Sequence, residues 1–194
     1  MADKLIPTPS QTVGPFFHLG MARAEWADLT ADHPAGEKIA IEGRVIDGDG
    51  APVPDAIIEL WQANAAGRYN HPDDPQTDKP LDPHFRGFGR VATDGEGHFR
   101  VVTIKPGPVP GRGNALQAPH INIALFARGL LTHLFTRIYF ADESANVSDP
   151  LLTSIEDTAA RRSLLAQRSA SGSPPLYHFD IVLQGENETV FLDI

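Results

Sequence analysis

Cysteine is absent from the 194 residues, which removes disulfide frameworks, zinc–thiolate sites and a cysteine nucleophile together. Any metal must then rest on His, Tyr or carboxylate. Positive charge is scarce as well: 16 Lys and Arg face 25 Asp and Glu, a formal net charge of −9. That balance repels a phosphate backbone, and no basic stripe interleaved with aromatics offsets it, so nucleic acid is not an expected partner. No apolar run approaches the roughly 20 residues of a membrane span, and the opening Met1-Ala2-Asp3-Lys4-Leu5-Ile6 lacks the apolar core of a signal peptide. A cytoplasmic protein is the expectation. Glycine-rich phosphate loops and nucleophile elbows are also missing, since Gly48, Gly50, Gly95 and Gly97 sit in Asp-Gly turns.

Glycine and proline themselves are plentiful, 17 of each, and they punctuate the chain at a spacing that suits short strands. Residues 1 to about 35 show no sustained period. Pro7, Pro9 and Pro15 with Gly14 predict an extended arm, and Val13, Phe16, Phe17 and Leu19 give it apolar groups with which to pack. From Ile39 the chain alternates: Ile39, Ile41 and Val45 against Ala40, Glu42 and Arg44, the period of two of a half-buried strand. Further strands are predicted over Ala56–Ala63, Val91–Thr93, His98–Ile104, His120–Ala127, Leu130–Phe140, Tyr177–Gln184 and Val190–Leu192. One helix is expected from about Thr158 to Arg168, capped by Asp157. The pattern predicts an all-β chain: a single β-sandwich domain over 36–194 behind an N-terminal arm over 1–35. Two long loops, Ala65–Gly89 and Lys105–Pro119, exceed what a minimal sandwich needs, and such loops are commonly functional. The acidic run Asp73-Asp74-Pro75-Gln76-Thr77-Asp78 lacks the Gly and terminal Glu of a calcium loop and reads as a solvated charge cluster.

Four blocks flank those loops: Glu59-Leu60-Trp61-Gln62-Ala63-Asn64-Ala65-Ala66-Gly67-Arg68-Tyr69, Leu81-Asp82-Pro83, Ile104-Lys105-Pro106-Gly107-Pro108 and Pro119-His120-Ile121-Asn122. Together they resemble the intradiol ring-cleaving dioxygenases, from about Thr8 to the C-terminus. The resemblance implies a non-haem ferric ion held by two tyrosines and two histidines: one Tyr after Gly-Arg, one after Lys-Pro-Gly-Pro, and a His-x-His pair. The pair is sterically sensible because residues i and i+2 of a strand share a face, and tyrosinates suit a hard ferric ion. At those positions this sequence carries Tyr69, Val109, His120 and Asn122, so two of the four ligands are replaced. Valine cannot coordinate, and a carboxamide is a poor substitute for imidazole. Gln117 also stands where catalytic members carry an arginine.

These departures are similar to the iron-free alpha type of subunit in hetero-oligomeric members of the family. The opening Thr8-Pro9-Ser10-Gln11-Thr12-Val13-Gly14-Pro15-Phe16 and the block from His120 to Gly129 share that likeness. The resemblance implies a homologous iron-binding beta subunit as partner, Fe(III) bound there and no metal in this chain, and a small aromatic substrate at or near a shared site. Thr12, Gly14, Pro15, Phe16 and Arg128 are then expected to contribute to the partner's substrate pocket, where a guanidinium favours an anionic catechol carboxylate. Interface packing for the arm and a solvated turn charge for Arg128 are the blander alternatives. Tyr69 and His120 are expected to be structural. A self-sufficient dioxygenase and a non-enzymatic transthyretin-like binding module remain as rival readings.

Overall fold

The computed structural model describes residues 9–111, 113 and 115–193. Thr8, which opens the first motif block, lies outside them with the rest of the first eight residues of the arm.

The chain runs through α1 (Pro15–Met21), β1 (Lys38–Ile46), β2 (Ile57–Trp61), β3 (Phe88–Ala92), β4 (His98–Ile104), the short pair β5 (Val109–Pro110) and β6 (Leu116–Gln117), β7 (His120–Phe126), β8 (Leu134–Phe140), α2 (Pro150–Ser154), α3 (Thr158–Arg162), β9 (Leu165–Arg168), β10 (Leu176–His178) and β11 (Ile181–Val182). Strands dominate and every α-helix described is short, as the all-β reading expects. The main sheet is ordered β11-β1-β10-β9-β8-β7-β2-β3, with β4 pairing β1 off that path and β5 with β6 forming a separate ribbon.

The period of two places the core. On β1, Ile39, Ile41 and Val45 are buried while Lys38 and Arg44 are exposed. Their side chains join Val101 of β4, Ile58 and Leu60 of β2, Ile121, Ile123 and Leu125 of β7, and Ile138 and Phe140 of β8 in one apolar cluster. Each such fully buried side chain contributes about 1.5–3 kcal/mol over leaving it in water. Gly43 shares the inward parity of β1. A Cβ there would stand 1.8 Å from the Phe179 carbonyl oxygen, so only glycine lets the chain pass between β10 and β11 at this point.

Several expectations needed correction. The arm is not extended throughout, because Pro15–Met21 is helical. Pro15 starts that helix instead of breaking it: it occupies the first turn, where no backbone N–H is required and the locked φ is already helical. Three α-helices are described instead of one. The predicted helix from Thr158 does begin on the Asp157 cap, whose side chain accepts from the Ala159 N–H at 2.7 Å. It ends at Arg162, and Leu165–Arg168 becomes β9. Local helix propensity loses there because Leu165 and Ala166 pair in parallel with Tyr139 and Phe140 and the Ala166 side chain enters the core. Val190–Leu192 forms no strand and makes one isolated bridge, Phe135 to Leu192. Tyr177–Gln184 divides into β10 and β11.

Candidate functional site

Two loops meet to build the site. Asn64 organises the first: its side-chain oxygen accepts from the Ala66 and Arg68 N–H groups, both at 3.0 Å. The Gly107 N–H then donates to the Asn64 carbonyl at 2.9 Å, which joins the second loop to the first. Gly67 has φ +78°, and a Cβ on it would lie 2.0 Å from the Pro108 carbonyl oxygen, so the contact demands glycine on both conformational and steric grounds. Lys79 completes the join, its Nζ donating to the carbonyls of Gly67 (3.1 Å) and Pro108 (3.0 Å). This arrangement brings Tyr69 and Val109 to one open cleft of about 650 Å³, walled also by Trp61, His71, Pro75 and Pro110.

Tyr69 lies flat on Trp61, ring centroids 5.7 Å apart at 16°. Its hydroxyl accepts from Asn122 Nδ2 at 3.2 Å, and the same amide donates to the Trp61 carbonyl at 3.2 Å. Burial pushes the Tyr69 phenol above its usual range, against the smaller downward pull of the Asn122 hydrogen bond and the Arg137 charge. The acidic run is likewise structural in part, since Asp74 accepts from the Tyr69 N–H at 2.7 Å and the Gln76 N–H at 2.9 Å.

Across the sheet, Asn122 of β7 is registered with Arg137 of β8. Arg137 Nε donates to Asn122 Oδ1 at 2.9 Å; one terminal nitrogen donates to Gln117 Oε1 at 2.6 Å and to the Tyr139 hydroxyl at 3.3 Å. Every one of these acceptors is neutral, and among the described residues no carboxylate forms an ion pair with Arg137. Gln117 is in turn held by β5, its amide donating to the Pro110 carbonyl at 2.9 Å. Val109, paired with Gln117 across the ribbon, is buried and apolar.

His120 sits at i−2 from Asn122 and is 3% exposed. Its Nδ1 lies 2.8 Å from the Ala118 carbonyl, an acceptor, so the proton is on Nδ1 and Nε2 keeps a lone pair. Nε2 is buried without a partner. Burial first, then the Arg137 charge, lowers this imidazole to about 4. Behind it stands Asp149, buried, accepting from the Ala118 N–H (2.8 Å), the Tyr139 hydroxyl (3.1 Å) and the Leu151 and Leu152 N–H groups that open α2.

Of the four positions expected as a degenerate metal site, Tyr69 and Val109 share the cleft, Asn122 links Tyr69 to Arg137, and His120 lies two residues before Asn122 on the same strand; they do not fit a ferric ion. The set offers one imidazole nitrogen and one phenol, an alkyl group and an amide fill the other two places, and a guanidinium is hydrogen-bonded to that amide. Sequence reasoning missed Arg137 and Asp149. A charged residue inside the apolar run Leu134-Phe135-Thr136-Arg137-Ile138-Tyr139-Phe140 was the available signal for the first. Asp149 directly before Pro150 is a helix-cap signature for the second.

At the other end of β7, the arm reaches the turn that carries Arg128. Thr12 Oγ1 accepts from the Gly129 N–H at 2.8 Å and donates to the Ala127 carbonyl at 3.4 Å. Phe17 packs on Phe126 with centroids 5.4 Å apart. Arg128 pairs with Asp55 at 3.0 Å. Gly14 is the N-cap of α1 and Pro15 its first residue, and Phe16 is left 83% exposed. Thr12, Gly14, Pro15, Phe16 and Arg128 therefore occupy one region, apart from the Arg137 centre.

Residues 13–185 match the profile of a family described as Dioxygenase, and the chain belongs to it. Over its whole length it is similar to the protocatechuate 3,4-dioxygenase alpha chain of Pseudomonas putida, 42% identical over 206 aligned positions that cover 100% of each protein. It is also 43% identical to the beta chain of the same activity from Burkholderia cepacia, over 80% of this chain and 68% of that one. Among solved structures, the dioxygenase domain of a carbohydrate-binding fusion protein from Streptomyces sp. SirexAA-E matches with a TM-score of 0.63 at 26% identity, covering 95% of this chain and 100% of that domain. No helix among the described residues is long and apolar enough to cross a membrane.

Proposed function

We propose that the chain is the alpha subunit of a protocatechuate 3,4-dioxygenase, built on the family's β-sandwich and working in the cytoplasm. It pairs with a homologous beta subunit that binds Fe(III) and, with O2, opens the ring of protocatechuate to a carboxymuconate. The observation that carries this reading is the site itself: Tyr69 and His120, with Val109 and an arginine-bound Asn122 at the other two positions, do not make up the ligand set that ring cleavage needs. Likeness at full length to an alpha chain supports it. Thr12, Gly14, Pro15, Phe16 and Arg128 form the contribution of this chain to the partner's pocket. The guanidinium of Arg128 attracts the substrate carboxylate, and the exposed ring of Phe16 supplies apolar wall. The exposed Phe16 and Leu19 of α1 are suited to burial against the partner, in an obligate interface of about 2,000 Å² or more.

The experiment is co-expression with a protocatechuate 3,4-dioxygenase beta chain. The two are expected to co-purify in equal amounts, with O2 uptake on protocatechuate in the complex and none in this chain alone. A chain that purifies unaccompanied, binds ferric ion stoichiometrically and cleaves catechols overturns the proposal. A stable monomer that ignores the beta chain favours the binding-module alternative.

A further inference from the structure

We infer that Arg137 is the cation that has taken the metal's place in this fold, and that it, as much as the lost ligands, is what bars iron from the site. The inference rests on reading the chain as a non-iron subunit and adds the residue that enforces it.

The geometry points to Arg137 in three ways. It stands directly opposite Asn122 in the β7–β8 register, so its side chain leaves the sheet on the face that holds Asn122 and His120. Its guanidinium binds the side chains at two altered positions, Asn122 at 2.9 Å and Gln117 at 2.6 Å. Asn122 then passes the contact on to Tyr69, donating to its hydroxyl at 3.2 Å. The charge thus sits beside two of the altered positions, held by neutral acceptors, and among the described residues the buried Asp149 reaches it only through the Tyr139 hydroxyl.

His120, by contrast, is still arranged as a ligand. Its Nδ1–H is spent on the Ala118 carbonyl at 2.8 Å, the backbone bond that typically orients a metal-binding imidazole and sets its tautomer. Nε2 carries a lone pair and has no partner although buried. What the ring lacks is a metal that can approach. A ferric ion placed among these residues would meet a fixed positive charge in a half-buried site, where repulsion is screened less than in open water. Restoring the missing tyrosine and histidine is therefore insufficient while Arg137 remains. The Asn122 oxygen that now accepts from Arg137 would also be gone, leaving the guanidinium without that acceptor beside the new imidazole.

The test compares full-length variants, each checked for folding by circular dichroism, for ferric ion bound per chain and for the broad visible absorption of tyrosinate bound to iron. Where the chain is isolated only with its partner, iron is counted as the increment over the wild-type complex. The wild type and V109Y/N122H are expected to bind none, whereas V109Y/N122H/R137Q is expected to bind about one ferric ion per chain with the visible band. V109Y/N122H/R137K, which keeps the charge on a different stem, is expected to bind at least about ten-fold more weakly than the Gln form. Equal iron in the double and triple variants overturns the inference, and so does a folded triple variant that binds none. Should the new tyrosine prevent folding, N122H/R137Q and N122H/R137K leave Val109 in place and are compared by cobalt(II) titration. Binding by the Gln form alone supports the inference, and binding by both or by neither overturns it. Assembly with the beta chain is scored separately, so failure here leaves the subunit reading intact.

Discussion

Arg137 stands opposite Asn122 across the β7–β8 pair, and its Nε donates to the Asn122 side-chain oxygen at 2.9 Å. That bond ties two strands and, through Asn122 and Gln117, two loops to a single guanidinium. The centre of this site is a cation held by neutral hydrogen-bond acceptors.

Arg137→Ala strips the partner from Asn122 Oδ1 and Gln117 Oε1 together. Leaving such half-buried acceptors unpaired costs about 1–3 kcal/mol. Urea unfolding of the variant is expected to show a lower midpoint with an unchanged slope. A midpoint equal to wild type would mean that the network orders the site without holding it together.

Acid should destabilise the fold through His120. Its folded pKa of about 4 lies below its ordinary 6.5, so between those values the unfolded chain binds the proton and the folded chain does not. Stability is then complete above about 6.5 and falls as pH drops toward 4, by up to about 3 kcal/mol from this group. Carboxylates such as Asp28 and Asp74, held below their usual range largely by hydrogen bonds that outweigh desolvation, lose stability lower in the scale. Chemical denaturation of wild type and His120→Gln at a series of pH values separates the two. The variant should lose the upper part of the slope, and a retained slope assigns it elsewhere.

Asp149 and Asp157 both cap helices, but their environments differ. Asp149 is fully buried and serves four donors from the loop before β7, β8 and α2, whereas Asp157 is exposed and accepts one N–H. Asp157→Ala is expected to cost about 1 kcal/mol, the usual worth of a cap. Asp149→Ala should cost about 3 kcal/mol or more, because several buried donors lose their acceptor together. Thermal unfolding of the pair ranks them, and equal losses would refute the argument from burial.

Arg128→Ala breaks only an exposed pair with Asp55, worth about 0–1 kcal/mol. Its effect is expected in the assembled enzyme as a raised KM for the carboxylated catechol, with little change for an uncharged catechol. Steady-state O2 uptake with both substrates decides the matter. An unchanged KM returns Arg128 to a solvated turn charge.

The sequence by itself determined the β class, the longer strands that begin near Ile39, Ala56, His98 and His120, and the motif positions Tyr69, Val109, His120 and Asn122. Those features are local: alternation along Ile39–Val45, turn residues at Asp-Gly steps, a cap at Asp157, and motif blocks read in order. Where local preference and tertiary demand disagreed, the structure went with the second. Leu165–Arg168 is helical by propensity and a strand because β8 has an open edge beside it, and Pro15 opens a helix because the chain leaving Gly14 needed no N–H there. Only the tertiary structure could place Arg137 opposite Asn122, since that follows from the register of β7 on β8, and a register is a relation between strands that neither strand encodes alone.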